Sequence, residues 1–214
     1  MMNHWRELLL EAVSPLESGV RQLQISGYRP PGDVPFRPSR TAAVLVPLID
    51  APEPEMVFTR RAEDLPQHPG QVSFPGGAAE ENDNSAVETA LREAHEEIGL
   101  PRQVTRPIGF LDRMDTISDY RVLPVVALIT PPVRWVVDER EVAEVFTVPL
   151  SVVLDVKRYE AKPTSWRGNQ YTLYTLYWQS HKIWGVTAAM LMNLISRMQP
   201  IHEKRNSLIS STTE

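Results

Sequence analysis

Apolar residues along this chain keep two different periods, and the switches between them outline the secondary structure. Over residues 4–14, Trp5, Leu8, Leu9, Ala12 and Val13 fall at helical spacing and Pro15 ends the run, which predicts a short amphipathic helix. Residues 85–98 predict the clearest helix: Val87, Ala90, Leu91, Ala94 and Ile98 gather on one side of a wheel turning roughly 100° per residue. A further helix is predicted over 187–198. Apolar runs of strand length, bounded by turn residues, stand at 42–49, 56–59, 108–111, 122–129, 142–148 and 171–178. Prolines crowd residues 26–40, and Pro66, Pro69 and Pro75 share residues 63–77 with three glycines, so neither segment is expected to be regular.

Strands mixed with a few helices predict a layered α/β fold, without the regular alternation of repeated βαβ units. The chain divides into an N-terminal helix with a Pro-rich linker (1–40), a core domain (41–200) and a polar tail (201–214) expected to be disordered. The first helix could pack on its own domain or on a second subunit, so monomer and homodimer both stay open.

Composition narrows the chemistry. Of 214 residues 42% are hydrophobic, enough for one domain with a real core. The absence of cysteine removes disulfides, thiolate metal sites and cysteine nucleophiles together. Any metal would be held by carboxylates, histidines or carbonyls, and oxygen donors favour hard ions such as Mg²⁺ or Mn²⁺. The five histidines show no metal-type pairing. A formal charge of −5 gives no general attraction to nucleic acid, so an anionic substrate must be held locally. No run approaches the ~18 apolar residues of a membrane span, and the acids within residues 1–18 do not suit a signal peptide. A cytoplasmic protein acting on a small molecule is expected, with neither nucleic acid nor membrane as partner.

The chemistry concentrates in the helix over 85–98. Glu93, Glu96 and Glu97 are related by i, i+3 and i+4, so they share a face. Such a cluster is commonly no more than a solvated helix face, but close carboxylates repel unless a cation sits among them. Upstream stands Phe74-Pro75-Gly76-Gly77, whose bare backbone can approach a ligand closely. Downstream, Gly99 stops the helix and Pro101 prevents its continuation.

This arrangement resembles the Nudix signature: Gly, five residues, Glu, seven residues, then Arg-Glu-apolar-x-Glu-Glu-x-Gly-apolar. Here Gly77 is followed by five residues, Asp83, an eight-residue spacer and Arg92-Glu93-Ala94-His95-Glu96-Glu97-Ile98-Gly99-Leu100. Two departures stand out, Asp83 in place of Glu and one extra spacer residue. The resemblance implies a Nudix-type α/β/α sandwich with a mixed sheet and a loop-helix-loop catalytic motif. It implies hydrolysis of a nucleoside diphosphate linked to another moiety. Glu93, Glu96 and Glu97 would ligate Mg²⁺ or Mn²⁺, with Glu93 alternatively a general base and the Gly77 backbone a possible further ligand. Arg92 would brace the carboxylates. A later acid often supplies another base; Glu139, Glu141 and Glu144 are candidates, and Glu144 is the one placed among the catalytic residues.

A second resemblance is to the coenzyme A pyrophosphatase branch of this family. It rests on Val57-Phe58-Thr59-Arg60-Arg61-Ala62, on Gly70-Gln71-Val72-Ser73-Phe74-Pro75-Gly76-Gly77 and on Ile183-Trp184-Gly185-Val186-Thr187-Ala188. It implies substrate contacts from Arg61, Arg60, His68, Gly70 and Gln71. In a strand the two arginines face opposite ways, and Arg61 is favoured for substrate. Pro66 replaces the branch's second arginine, removing a cation that could recognise the 3′-phosphate of coenzyme A. Three functions follow: a diphosphatase for coenzyme A or its thioesters, one for ADP-ribose, dinucleotides or nucleoside triphosphates, or a non-catalytic nucleotide- or protein-binding module. The rings of Trp166, Tyr171, Tyr174, Tyr177 and Trp178 are expected chiefly to pack between strands.

Overall fold

The computed structural model describes residues 4–18, 23–27, 38–166 and 169–211. One mixed sheet holds β1 (Ile25–Gly27), β2 (Arg40–Ile49), β3 (Glu55–Arg61), β4 (Val72–Ser73), β5 (Gly76–Ala78), β6 (Thr105–Phe110), β7 (Arg113–Asp115), β8 (Tyr120–Ile129) and β9 (Val142–Pro149). A separate antiparallel sheet holds β10 (Tyr159–Trp166), β11 (Asn169–Trp178) and β12 (His181–Trp184). The helices are α1 (His4–Ala12), α2 (Ala86–Ile98), α3 (Leu150–Val153) and α4 (Gly185–Ser211).

Alternation along the strands builds two cores. Ala43, Leu45, Val57, Leu123 and Val125 pack against Ala90, Ala94 and Ile98 of α2. Val46, Leu48, Met56, Phe58 and Val126 pack against Leu8 and Leu9 of α1 and Leu191 and Leu194 of α4. The result is an α/β/α sandwich. Because both faces of the central strands are covered, those strands read in sequence as unbroken apolar runs.

Strand pairing places the functional loop. β2 and β8 run parallel from Arg40↔Tyr120 to Ile49↔Ile129. β2 and β3 pair only at Leu48↔Met56 and Ile49↔Glu55, then part. Into the gap come β4, on β3, and β5, on β2 with Gly77 opposite Ala43. The other edge of β3 is taken by β9 along its whole length, with a register shift at the Arg60–Arg61 step, where β9 skips Ala143.

The N-terminal helix packs on its own domain, where Arg197 Nη1 donates to Ala12 O at 2.9 Å and Arg197 Nη2 to Asp112 at 2.6 Å. Three expectations change. Helix α4 runs past Met198 and through Pro200 to Ser211, so most of the expected disordered tail is helical backbone. Apolar periodicity fades there, but Glu203, Lys204 and Arg205 are good helix formers. Strand β10 was hidden by Glu160, Lys162 and Pro163; it is the edge of its sheet, where a missing N–H is tolerated. Residues 25–27 pair in parallel with β7, although the Pro-rich stretch was expected to begin at 26. Residues 28–37 of that stretch lie outside the described residues. Among the described residues no helix is long and apolar enough to cross a membrane.

Candidate active site

The ends of α2 are set by its sequence. Ser85 caps the N-terminus, accepting from the Glu88 N–H at 3.2 Å, and Gly99 closes the helix with φ 65°. With Ala90, Ala94 and Ile98 fully buried, Glu93 and Glu97 sit one turn apart at the rim of the core, where β5 passes. Glu97 is only 4% exposed, and the Gly76 N–H donates to its Oε2 at 3.3 Å. A Cβ on Gly77 would lie 2.5 Å from the Glu93 carboxyl carbon. A side chain at 77 would therefore fill the space that the carboxylate uses.

Electrostatics mark the pair as unusual. Burial, reinforced by the charge of Glu93, pushes the Glu97 carboxyl up to about 8, against the pull of the Gly76 N–H and the Arg61 cation. Glu93 is raised too, by burial first, with Arg92 pulling it down. Glu141 adds negative charge to both. Glu96, by contrast, is more than half exposed and turned to Arg92 at 2.9 Å. Among the described residues no three His, Cys, Asp or Glu side chains already surround a common point. The donor set nevertheless fits a divalent ion: a buried and a partly buried carboxylate, mutually repelling, face a cradle that a Cβ would close, and Glu96 is tethered only at the surface.

Arg92 holds the cluster in place, and Asp83 holds Arg92. The guanidinium donates from Nε to Asp83 Oδ1 at 3.1 Å and from Nη2 to Asp83 Oδ2 at 3.0 Å. Nη2 also reaches Ala78 O at 3.1 Å, and Nη1 reaches Glu93 at 3.0 Å. Asp83 thus orients the arginine in spite of its shorter side chain and the longer spacer. Arg92, and then the Glu80 N–H, hold the Asp83 carboxyl well below the usual carboxylate range. A depressed carboxyl stabilises the fold above its unfolded value of about 3.8, and that stability is lost as pH falls toward the folded value. Asp83→Asn should therefore cost about 1–3 kcal/mol at neutral pH. In urea melts the gap from the parent should narrow as pH falls below about 4; a gap that stays the same at every pH would show that the charge of Asp83 is not what stabilises the fold.

Arg60 and Arg61 face opposite sides of the sheet, as expected. Arg61 lies on the α2 side, where its charge acts on Glu97 and its buried Nε has no hydrogen-bond partner. Arg60 points to the other face, pairing with Glu144 at 3.2 Å and Glu63 at 3.0 Å. Glu144 also meets His181 Nε2 at 3.1 Å, and the His181 ring stacks on Phe146. Glu144 is therefore not brought to the carboxylate cluster; Glu141, exposed like Glu139, is the acid whose charge reaches Glu93 and Glu97. Separating 141 from 144 requires the register of β9 on β3, where β9 skips Ala143, and the apolar pattern does not carry that. Gly70 and Gln71 line a cleft of about 580 Å³ with Arg60 and Glu144, whereas His68 is exposed and outside that lining. Tyr174 and Trp178 pack against the α1–α4 core, so they serve the strands.

The NUDIX domain profile matches residues 39–167. A curated relative from Pectobacterium atrosepticum, described as "Uncharacterized Nudix hydrolase NudL", is 42% identical over 173 residues, covering 81% of this chain and 88% of its own length. Another of that description, from Enterobacter, is 41% identical over 72% of this chain and 81% of its own. Among solved structures, a NUDIX hydrolase from Alicyclobacillus acidocaldarius aligns over 73% of this chain and 91% of its own, at 20% identity and TM-score 0.44. The matched stretch contains the loop, the helix and all three glutamates, and the chain belongs to the Nudix hydrolase family, enzymes that act on pyrophosphate bonds.

Proposed function

We propose that this enzyme hydrolyses the diphosphate linkage of coenzyme A or its thioesters, releasing 3′,5′-ADP and a 4′-phosphopantetheine. The observation that carries the reaction type is buried Glu97 with partly buried Glu93 against the bare Gly76–Gly77 backbone, with the unpartnered Nε of Arg61 beside them. Glu93, Glu96 and Glu97 are the oxygen donors for a divalent ion, with the Gly77 carbonyl as a further candidate. When bound, that ion neutralises the diphosphate oxygens and acidifies a water. Arg61 offers the diphosphate a cation from the sheet. Arg92 is fully occupied by Asp83, Ala78 and the glutamates, so it positions carboxylates instead of touching substrate. Glu93, where it is not a ligand, or Glu141 takes the proton of the attacking water on a carboxylate oxygen.

The substrate assignment draws support from the loop pattern ending in Phe74-Pro75-Gly76-Gly77 and from Gly70 and Gln71 beside the cleft. Pro66, exposed where the branch carries an arginine, favours the second reading, a diphosphatase for ADP-ribose, dinucleotides or nucleoside triphosphates. Mass spectrometry after incubation with Mg²⁺ or Mn²⁺ separates the two. Coenzyme A should yield 3′,5′-ADP, and the product should vanish in Glu97→Gln. Turnover of the other substrates alone would establish the second reading, and silence across the panel would remove both.

A further inference from the structure

The cleft on the far face of β3 has a charge pattern that the hydrolytic cluster does not use. It lies between the 69–72 loop, β9 and the turn into β12, and is lined by Arg60, Gln71, Glu144, His181, Lys182 and Trp184 among others. At about 580 Å³ it matches the size of small-ligand sites. The acid in its lining, Glu144, is already engaged by both Arg60 and His181. His181 is 7% exposed and clamped by Phe146, with ring centroids 3.7 Å apart and planes 11° apart, so this wall is built and not merely exposed. Its Nδ1 is buried without a hydrogen-bond partner. The Lys182 ammonium stands 5.2 Å from the Trp184 ring centre, and no salt bridge to it is seen among the described residues. Glu63, at 3.0 Å from Arg60, lies beside Gly70 at the same cleft, so the acids here are taken up by Arg60 and His181, and Lys182 is left beside an aromatic ring as the cation with no carboxylate of its own.

Its position relates it to the hydrolytic site. Arg60 and Arg61 are adjacent in the chain, one aimed at this cleft and the other at the carboxylates. The two sites thus share the end of β3, around which a single substrate with anionic groups at two places would have to pass to meet both.

Resting on the coenzyme A reading, we propose that this cleft receives the phosphate monoester at the nucleoside end of the substrate, and that Lys182 is the residue that recognises it. Lys182 would supply the cation that Pro66 removes from the preceding loop. The ammonium faces the dianionic monoester as a point charge, Gln71 offers amide hydrogens, and the Trp184 ring is placed to stack on a purine.

Two measurements on the full chain test this. The first is the preference for coenzyme A over 3′-dephospho-coenzyme A, read as the ratio of kcat/KM in parent, Lys182→Ala and Lys182→Arg. The ratio should fall about tenfold in Lys182→Ala, the worth of one charge-assisted hydrogen bond, and be largely restored in Lys182→Arg. The second needs no turnover: calorimetric binding of 3′,5′-ADP against 5′-AMP, where the preference for the doubly phosphorylated nucleotide should weaken by a similar factor in Lys182→Ala. A parent that does not discriminate between the nucleotides, or an alanine variant that discriminates as well as the parent, overturns the assignment. Lys182-dependent 3′,5′-ADP binding without hydrolysis of coenzyme A would instead retain the cleft and remove the substrate reading. Thermal melts of both variants separate either result from misfolding.

Discussion

Glu97→Gln should lose at least about a thousandfold in kcat while gaining stability when metal is chelated. The first effect follows from the several kcal/mol that metal-assisted charge neutralisation supplies, at about 1.4 kcal/mol per tenfold in rate. The second follows from the same carboxyl. Its folded value is raised to about 8 by burial and by Glu93, so the group stabilises the fold only while protonated. The metal-free parent should lose stability as pH rises from the ordinary carboxylate range toward 8. Glutamine keeps the shape and carries no charge, so the variant should lack that loss and exceed the chelated parent by about 1–4 kcal/mol at pH 9. Adding Mg²⁺ or Mn²⁺ should raise the melting temperature of the parent far more than that of the variant. A variant that is inactive but no more stable than the chelated parent at high pH would mean that Arg61 already neutralises Glu97, and that the two carboxylates need no ion to coexist.

Gly76→Ala should be the most destabilising single-methyl change in the site. Gly76 has φ +155°, and an added Cβ would meet the Ala43 carbonyl oxygen and lie 2.5 Å from Val44 Cα. Both obstacles are backbone of β2, which is locked in register with β8 and cannot retreat. Strain and overpacking together should cost about 3–5 kcal/mol, read as a lower urea midpoint. Gly77→Ala is the instructive comparison. There the methyl meets the Glu93 carboxylate, a side chain that can swing away, so the fold should tolerate it better while activity falls steeply. Equal stability losses in the two variants would show that β5 relaxes as a unit and that the backbone clash at 76 is not decisive.

The parts of this protein that were legible in its sequence are those in which one periodic signal dominates. Helix α2 was readable because Ala90, Ala94 and Ile98 repeat at helical spacing and Ser85 and Gly99 mark its ends. Strands β2 and β8 were readable as long apolar runs because both of their faces are covered. Legibility stopped where a position depends on a partner distant in the chain. Strands β4 and β5 are too short to carry a pattern and exist because β2 and β3 part. Asp83 could be named as a departure from the usual acid, but its double hydrogen bond to Arg92 depends on how the 78–85 loop folds back. That the charge of Glu141 acts on Glu93 and Glu97 while Glu144 turns to Arg60 and His181 has the same origin: the two lie three residues apart where β9 skips Ala143, and no local signal says which way each points.

The extra residue opposite the Arg60–Arg61 step belongs to β9, which skips Ala143, so β3 itself keeps strict alternation to its tip. Side chains in a strand alternate, so deleting or inserting one residue before this point would invert which arginine meets which face. Both residues are arginines, so such a slip would still leave a guanidinium on each side. The two cores hold β3 to one register, because a slip would also turn Met56, Val57 and Phe58 to the wrong faces, so the placement of both charges at the strand tip is inherited from the packing of its apolar half.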